Sequence, residues 1–307
     1  MRYDVLLVDG KNLCYRAYYG NKTLKAKIRN KSVGTGCIFG FVKTLIMVHE
    51  QVMSDKAKII VCWDSGHERR TKIYPGYKIN RTDKAKNLTK KEKKEKEEFE
   101  RQMKELKKVL QILGIDQMYR EGEEADDLVG SLAKRHENRG ENVLIFSGDH
   151  DFYQLITEKV SFYKSGGSGV NIFDSKRLMK VFGVNSKKYL HSMCLSGDSG
   201  DCIPGIGGIG EKKALGILKT NPNIVKDILN NNWDSDKFVG TENMKNLILA
   251  NIDTIFLARK LVTINKHISK MNKIEGRKNL DRIESIFEKY EFFSLLKGEP
   301  WKIISKW

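Results

Sequence analysis

The sequence predicts an α/β fold in which helices cover a parallel sheet. Three short apolar runs have the composition of buried strands, and they occupy residues 3–8, 59–63 and 142–146. Segments with helical periodicity separate them, and strands that alternate with helices are typical of a parallel sheet with right-handed crossovers. Helical patterns dominate from about residue 175 onward. We therefore expect a parallel-sheet domain followed by a helical region.

The predicted helices differ in how well they can pack. A helix that opens at residues 34–36 has apolar residues through Ile46. Another is predicted over residues 89–113, but residues 90–96 at its start have no apolar face, which is typical of a solvated helix or a flexible loop. Its apolar stripe consists of Phe99, Met103, Leu106, Val109 and Leu110. Glycines predict a turn or loose loop at residues 166–169, and further helices are predicted from residue 176, over 187–195 and over 211–219.

Carboxylates collect where the predicted strands end and where one helix begins. A single aspartate after a strand is usually a turn residue, and acids at a helix start are favoured by the helix dipole. The carboxyl ends of parallel strands, however, meet at one edge of the sheet, where ligands bind. Several carboxylates in one crevice repel one another unless cations neutralise them, so the pattern predicts bound Mg²⁺. The acids are Asp9, Asp64, Glu124, Asp126, Asp127, Asp149 and Asp151, and a further pair, Asp198 and Asp201, follows the helical pattern at 187–195.

Charge and composition predict a globular protein with a polyanionic partner. The 307 residues are 40% hydrophobic and 31% charged, which excludes a disordered chain. The formal net charge of +17 indicates nucleic acid as the simplest partner, with an anionic membrane surface as the lesser alternative. No apolar run approaches the length of a membrane span, so we expect no membrane partner.

Cysteines and tryptophans are predicted to be structural. The cysteine count is odd, the spacing is wide and no Cys-x-x-Cys occurs, which predicts reduced thiols in a cytoplasm and argues against a zinc site. Isolated tryptophans are more often core anchors than platforms for base stacking. The residues are Cys14, Cys37, Cys62, Cys194 and Cys202, with Trp233, Trp301 and Trp307.

A glycine-rich turn lies between two predicted helices. Its Gly-x-Gly-x-x-Gly spacing matches a dinucleotide-binding turn, but a helix and an acidic loop precede it instead of a strand. We interpret it as a turn whose amides and following helix start hold a DNA phosphate, with two lysines beside it. A helix connector without a ligand is the alternative. The residues are Gly205, Gly207, Gly208, Gly210, Lys212 and Lys213.

These motifs resemble those of the structure-specific 5′-nucleases, which include the 5′-3′ exonuclease domain of bacterial DNA polymerase I and the flap endonucleases of bacteriophages. The matching stretches occur in family order between residue 1 and about residue 220. They are Leu7-Val8-Asp9-Gly10 with Tyr15-Arg16, Trp63-Asp64, Tyr77-Lys78 with Arg81, residues 122–127, Gly148-Asp149-His150-Asp151 and residues 197–210.

The resemblance implies a PIN-like parallel-sheet nuclease core over residues 1–174 and a helical DNA-binding region over residues 175–307. A helical arch would occupy residues 78–108, and a helix–three-turn–helix unit would occupy residues 186–220. The implied cofactors are two Mg²⁺ or Mn²⁺ ions per active site, with K⁺ as a candidate at residues 199–210.

The resemblance also implies roles for single residues. One metal would use Asp9, Asp64, Glu124 and Asp126, and the second would use Asp126, Asp149, Asp151 and either Asp198 or Asp201. Asp127 would act behind these ligands. Lys78 and Arg81 match the family's catalytic lysine and nearby arginine. The predicted DNA contacts are Arg16, Tyr77 and the residues of the glycine-rich turn. Cys202 departs from the family, which commonly has Asn there, and this puts a polar contact from that side chain in doubt.

The implied function is hydrolysis of DNA phosphodiesters by a 5′-3′ exonuclease and flap endonuclease in replication or repair. Substrates would be branched or 5′-ended DNA, with an RNA–DNA hybrid as a further candidate, and we expect a monomer in the cytoplasm of a bacterium or a phage-infected host. His150 is interpreted as a solvent-facing spacer. A PIN-type ribonuclease and a non-catalytic DNA-binding protein are the alternatives.

Overall fold

The computed structural model describes residues 2–165 and 171–307, so the turn predicted at 166–169 lies outside the described residues. The strands are β1 (Tyr3–Asp9), β2 (Lys25–Ile28), β3 (Lys31–Gly34), β4 (Met53–Cys62), β5 (Asp116–Tyr119), β6 (Val143–Ser147), β7 (Val160–Lys164), β8 (Ile172–Phe173) and β9 (Asn272–Ile274). A hairpin pairs β2 with β3, and the other strands form one sheet.

Helices make up most of the remaining described chain. Before β9 they are α1 (Gly10–Gly20), α2 (Gly36–Val52), α3 (Glu68–Ile73), α4 (Ile79–Lys86), α5 (Lys90–Ile112), α6 (Ala125–Asn138), α7 (Ser175–Phe182), α8 (Ser186–Ser196), α9 (Glu211–Thr220), α10 (Ile224–Leu229), α11 (Glu242–Leu249) and α12 (Ile252–Val262). After β9 they are α13 (Leu280–Lys289) and α14 (Gly298–Lys306). No helix in the described ranges is both long and apolar enough to cross a membrane.

The sheet has the order β8-β7-β6-β1-β4-β5-β9. Strands β7, β6, β1, β4 and β5 are parallel, and the two edge strands are antiparallel to their neighbours. In the registers, Val8 lies opposite Val61 on one side and opposite Phe146 on the other. The three predicted strands are therefore adjacent and end at the same edge, as the apolar runs indicated.

The central strands β1 and β6 are buried on both faces, and β4 is buried in this way over residues 59–62. In β1, Val5 and Leu7 pack into one core with α6 and α8, whereas Leu6 and Val8 pack into the other with α2 and α5. A strand covered on both faces is a continuous apolar run rather than an alternating one. This explains why these strands could be predicted from composition.

The charged helix α5 packs along only part of its length. Phe99, Leu106, Val109 and Leu110 of the predicted stripe are buried, and Met103 is half-buried. Toward its start, Thr89 and Glu92 form a capping box, in which each side chain bonds the other's backbone amide. Most side chains between residues 90 and 96 are exposed. The apolar stripe is confirmed, and the first two turns are held by the capping box and by an ion pair of 2.9 Å between Glu95 and Lys22.

The end of the chain returns to the sheet. The region after residue 175 was predicted to be mostly helical, but β9 pairs with β5, and α13 and α14 pack on α5 and α2. Asp116 of β5 accepts from the Gly276 amide and forms an ion pair with Lys273, both at 3.1 Å. A three-residue strand with one apolar side chain has too short a pattern to be recognised from sequence.

The structural residues lie as expected. All five cysteines are free thiols, and four are buried. Trp233, Trp301 and Trp307 are partly buried against the two cores. They therefore act as core anchors.

Candidate active site

Asp9 is the last residue of β1 and the N-cap of α1. Its Oδ1 accepts from the Asn12 amide at 3.1 Å, and its Oδ2 accepts from the Ser147 hydroxyl at 2.9 Å, at the end of the neighbouring strand β6. Burial, reinforced by the charge of Asp64, raises the pKa of Asp9 to about 7. This carboxylate is placed where a counter-charge would stabilise its ionised form.

Asp64 follows β4 and connects that strand end to α6. Its Oδ1 accepts from the Ala125 amide at 2.9 Å, and this amide belongs to the first helical turn, where backbone donors lack partners within the helix. The Nζ of Lys11 lies 3.9 Å from Oδ2, and both side chains are partly exposed, so this ion pair is weak. The amide bond holds Asp64 beside the acidic start of α6.

The carboxylates at the start of α6 have different environments. Glu124 is the N-cap, and Asp126 and Asp127 lie in the first turn. Asp126 lines a crevice of about 590 Å³ at the carboxyl edge of the sheet. Burial, followed by the charges of Asp149 and Asp9, raises the pKa of Asp126 well above its usual range.

Asp149 and Asp151 occupy the segment after β6. The Oδ1 of Asp149 accepts from the Asp151 amide at 2.9 Å and so caps the short 3₁₀ helix at His150–Leu155. Burial raises the pKa of both carboxyls, and repulsion among the neighbouring aspartates adds to it. His150 is exposed, as predicted for a spacer.

Four of these carboxylates have no protein cation paired with them. Within the described part of the chain, no ion pair joins a Lys or Arg to Asp9, Asp126, Asp149 or Asp151. Asp9 is buried and the other three are half-buried. Unpaired carboxylates withdrawn from water are costly, and they normally remain ionised only when a cation is supplied. The crevice therefore has a deficit of positive charge.

Glu124 has the opposite environment. It accepts from the Tyr77 hydroxyl at 2.9 Å and from Arg70 Nη1 at 2.6 Å, and it forms an ion pair with Lys78. Although burial opposes ionisation, Arg70 and Lys78 hold the pKa of Glu124 below its usual range. Glu124 is ionised without a metal.

Lys78 ties the start of α4 to the acidic turn after α8. Its amide donates to the Asp201 carbonyl at 2.9 Å, and its Nζ lies 3.2 Å from the Asp201 carboxylate. The residue has φ +55°, a left-handed conformation that is uncommon outside glycine. Burial opposes its charged form, but Glu124 and Asp201 outweigh burial and raise the pKa of Lys78. Arg81 is more exposed and contacts Asp201 at 2.5 Å.

The carboxylates do not form a closed ligand shell as they stand. No three acidic, histidine or cysteine side chains among the described residues are arranged to hold a metal ion. Glu124 and Asp201, two of the predicted ligands, contact Lys78 instead. The donor set is nevertheless entirely carboxylate oxygen in a crevice short of positive charge, and hard divalent cations prefer such donors. The residues fit a divalent ion chemically, provided that their side chains turn toward it.

Two predicted site residues are buried in supporting positions. Asp127 is fully buried and bound by Arg69, Arg70 and the Asn265 amide, so its position agrees with a role behind the ligands and not with direct ligation. Tyr77, which was predicted to contact DNA, is 4% exposed, and its hydroxyl donates to Glu124. The DNA contact stays a prediction, and the position observed is a supporting one. The sequence did not reveal that the Tyr77 hydroxyl points inward.

The acidic turn after α8 folds on itself. Asp198 and Ile203 exchange backbone hydrogen bonds of 3.0 and 2.7 Å, and the Asp198 Oδ1 accepts from the Gly200 amide at 2.7 Å. Asp198 therefore shapes the turn, whereas Asp201 faces Lys78. Only one of these two aspartates is paired with a crevice cation.

The glycine-rich turn presents most of its predicted residues to solvent. Gly207, Gly208 and Gly210 are exposed, and a Cβ at any of them would meet nothing within 4 Å. Gly205 differs, because a Cβ there would lie 2.1 Å from the Ser196 carbonyl oxygen. It is needed for packing between the turn and α8, and the prediction that Gly205 contacts DNA lacks structural support. The two lysines Lys212 and Lys213 are exposed, as is Arg16 on α1.

Sequence reasoning missed an aromatic stack at the rim of the crevice. Tyr15 lines the crevice and is 44% exposed. Its ring stacks on Phe99 of α5 at 4.4 Å between centroids and on Tyr19 at 6.4 Å. The signal was the spacing of Tyr15 and Tyr19, which places both rings on one side of α1.

A crevice with this donor set, on this fold, belongs to the α/β nucleases. Residues 4–183 match the family model described as 5′-3′ exonuclease, N-terminal resolvase-like domain, and residues 184–281 match the model described as 5′-3′ exonuclease, C-terminal SAM fold. The chain belongs to the 5′-3′ exonuclease family. The resemblance inferred from the sequence motifs is thereby confirmed.

Two relatives illustrate the range of the family. The 5′-3′ exonuclease of Buchnera aphidicola subsp. Schizaphis graminum is 34% identical over 228 residues, which cover 74% of this chain and 73% of the relative. The thermostable DNA polymerase I of Thermus filiformis is 30% identical over 297 residues, which cover 95% of this chain and 32% of the polymerase. The chain thus spans about a third of the length of that polymerase.

Solved structures share the fold. The bacteriophage T5 flap endonuclease, in a pseudo-enzyme–product complex with DNA and metal ions, has a TM-score of 0.69 and 23% identity, with 94% of this chain and 99% of that chain covered. The zinc-bound T5 5′-exonuclease has a TM-score of 0.67 and 24% identity, with 85% and 89% covered. The predicted α/β core followed by a helical domain is confirmed by the family models and by this likeness.

Proposed function

We propose that this chain is a divalent-metal-dependent nuclease that hydrolyses DNA phosphodiesters at 5′ ends and 5′ branches. The observation that carries the proposal is the set of buried and half-buried carboxylates without protein cations at the carboxyl edge of the sheet, next to Lys78 and Arg81. Family membership and the DNA and metal ions in the T5 complex support it.

The proposed metal ligands are the carboxylates that surround the crevice. Asp126 is within electrostatic reach of Asp149 and Asp9, whose charges add to burial in raising its pKa. We propose that it is the ligand shared between two ions. The full proposed set is Asp9, Asp64, Glu124, Asp126, Asp149, Asp151 and one of Asp198 and Asp201. We propose Mg²⁺ or Mn²⁺ as the ions. When bound, two such ions activate a water molecule and stabilise the leaving oxygen.

The chain's own cations would act on the phosphoryl group. Lys78 is held in place through its backbone by the Asp201 carbonyl, and burial removes competing water around its ammonium group. Arg81 stands one helical turn further along at the exposed mouth. Preorganised positive charge beside a scissile phosphate stabilises the transition state more than the ground state.

The DNA interface would extend from the crevice to the glycine-rich turn. The start of α9, where Gly210, Lys212 and Lys213 are exposed, offers a phosphate-binding surface, and Tyr15 offers an exposed ring for a base. Arg16 remains a candidate phosphate contact. K⁺ at residues 199–210, an RNA–DNA hybrid as substrate, a monomeric state and a cytoplasmic location remain parts of the proposal.

A labelled 5′-flap DNA tests this function directly. We expect cleavage with Mg²⁺, no cleavage with EDTA, and binding in both conditions. An RNA flap in parallel separates a DNA nuclease from a ribonuclease of the PIN type. Binding without cleavage in any divalent ion would show a non-catalytic DNA-binding protein.

Removal of a single carboxylate tests the ligand set. We expect Asp149→Asn to abolish detectable cleavage and to leave the affinity for DNA in EDTA within a few-fold, because duplex binding rests on the basic surface. Asp174→Asn, which alters the N-cap of α7, is the matched control and should keep its cleavage activity. Equal loss of folding and of activity in Asp149→Asn would contradict the assignment.

A further inference from the structure

A segment that begins in the last two residues of α12 contacts α6 and the 3₁₀ helix at His150–Leu155, which carry active-site residues, and the buried Arg70 of α3. We call residues 261–268 the strap. Hydrogen bonds join it to these elements, and the bonded residues lie 108 to 191 positions apart in the sequence. Its buried apolar side chains are Leu261, Val262, Ile264 and Ile268. The strap belongs to the helical region, whereas its polar partners belong to the sheet domain. It is therefore a direct physical link between the two.

Gln154 binds the strap next to the aspartates of β6. It lies in the 3₁₀ helix that Asp149 caps, three residues after Asp151, and it is 4% exposed. Its Nε2 donates to the Val262 carbonyl and its Oε1 accepts from the Ile264 amide, both at 3.0 Å. The side chain satisfies two backbone groups of the strap at once, so the strap and this segment are held in register.

Arg70 binds the strap and the acidic helix start together. Its Nε donates to the Leu261 carbonyl at 2.8 Å. Its Nη1 donates to Glu124 at 2.6 Å and to Asp127 at 2.7 Å, and its Nη2 reaches the other oxygen of Asp127 at 3.1 Å. Asp127 also accepts from the Asn265 amide of the strap at 2.7 Å. One rigid guanidinium thus joins the strap to the carboxylate that pairs with Lys78.

We propose that Arg70 is a positioning residue that sets Glu124, and through it Lys78, according to the position of the strap. The inference rests on the proposed function, because it assumes that the crevice is catalytic. Arg70 is buried behind Glu124, does not line the crevice and is not placed to touch substrate. Its effect on the reaction is exerted through the groups that it orients.

The strap also connects the crevice to the proposed duplex-binding turn. Helix α12 leads into the strap and packs against α8, which ends at Ser196 directly before the acidic and glycine-rich turns. A duplex bound at the turn would therefore act first on α8, then on α12 and then on the strap. Binding energy from DNA remote from the scissile bond can then be used to fix the catalytic groups.

The test compares variants by their cleavage of bound DNA. Arg70→Lys keeps the charge but lacks the fork that spans Glu124, Asp127 and the strap. In single-turnover reactions with saturating enzyme, we expect it to cleave a 5′ flap about 10- to 100-fold more slowly, on the scale of a small misplacement of catalytic groups. Affinity for DNA in EDTA should change less than twofold. The rise in melting temperature on adding Mg²⁺ should be smaller than in the unaltered protein.

The dependence of the cleavage rate on duplex length is a second readout. It would not change if Arg70 had a merely structural role. In the unaltered protein, a flap on a duplex long enough to reach the glycine-rich turn should be cleaved faster, once bound, than a flap on a short duplex. Arg70→Lys should lose most of this advantage. Gln154→Met removes a second attachment of the strap and should also lose this advantage. The test therefore remains valid if Arg70→Lys does not fold.

Ser131→Ala is the matched control. The Ser131 hydroxyl donates to the Asn265 carbonyl and accepts from the Ile268 amide, both at 3.0 Å. It therefore fastens residues 265–268 of the strap to α6, and not residues 261–264, which Arg70 and Gln154 hold. We expect it to lose stability but to keep the cleavage rate and the duplex-length advantage. The inference is overturned if Arg70→Lys cleaves normally, or if rates in all three variants simply follow thermal stability. Failure of the unaltered protein to cleave would instead refute the proposed function.

Discussion

At the scale of single residues, the site contains two kinds of carboxylate. Glu124 meets a lysine, an arginine and a tyrosine hydroxyl, and these partners keep its pKa low. Asp126 lies two residues further along the same helix start. Burial, followed by the charges of Asp149 and Asp9, raises its pKa. The contrast separates a carboxylate held by the protein from one that requires an added cation.

Lys78 can be tested by removing its charge. We expect Lys78→Ala to slow single-turnover cleavage by at least about 100-fold with little change in DNA affinity, the scale of losing one preorganised charge. Glu124 retains Arg70 and Tyr77 as partners, so the fold should survive. Lys84→Ala, on the exposed side of the same helix α4, is the control and should cleave at close to the normal rate. A change mainly in affinity would make Lys78 a docking residue.

Cys202 has a backbone conformation that suits another residue better. Its φ is +56°, where an L-residue other than glycine is strained by about 1–2 kcal/mol and where Asn is tolerated better. We expect Cys202→Asn to raise the free energy of unfolding by up to about 1 kcal/mol, measured by urea denaturation. Cys202→Ala removes the thiol without this conformational gain and should give no increase. Equal effects of both variants would show that the thiol, and not the backbone, determines stability here.

At the scale of elements, the sequence predicted what depends on local pattern. Strands β1, β4 and β6 were recognisable because burial on both faces makes them continuous apolar runs. Helix α5 was recognisable from its stripe, although its first two turns lack one. The short strands β5 and β9 were not recognised, because their pairing is determined by neighbours far along the chain.

Contacts between residues far apart in the sequence were also the part of the active site that could not be predicted. Strand-terminal aspartates could be placed at one edge from topology alone, and the structure brings Asp9 and Asp149 within electrostatic reach of Asp126. The role of Arg70 could not be predicted, since its partner Leu261 lies 191 residues away. The inward orientation of Tyr77 was hidden for a similar reason, because its environment includes Asp201 from beyond α8.

Helix α5 should show a sharp internal difference in mobility. Residues 90–96 are held mainly by a capping box and by ion pairs worth tenths of a kcal/mol each, whereas Phe99 to Leu110 pack into the core. We expect fast amide exchange over 90–96 and slow exchange over 99–110 without DNA. Flap DNA should slow exchange over 90–96 only, because phosphates supply counter-charges to the lysines. Duplex without a 5′ flap is the control, and high protection of 90–96 before DNA is added would mark a static solvated helix.

At the scale of the whole molecule, the net charge of +17 and the acidic crevice must act together. A basic surface attracts DNA regardless of sequence, while the crevice by itself repels phosphate. Lys78 and Arg81 at the crevice reduce that repulsion locally. The proposed metal ions would remove the rest, so docking and cleavage would be separable by EDTA.

This separation makes salt the natural probe of docking. With EDTA present, log Kobs for flap DNA should fall linearly with log salt concentration, with a slope of about −0.9 for each phosphate contacted, because each contact releases counterions. The double variant Lys212→Gln with Lys213→Gln should reduce the magnitude of the slope by about two if both exposed lysines contact phosphates, and it should weaken binding to all sequences equally. Lys297→Gln with Lys302→Gln, near α14 and far along the chain from the glycine-rich turn, serves as the charge-matched control. Equal changes in slope for both pairs would mean that binding follows net charge alone. A reduction confined to Lys212 and Lys213 would assign duplex docking to the glycine-rich turn, from which α8, α12 and the strap lead to Glu124.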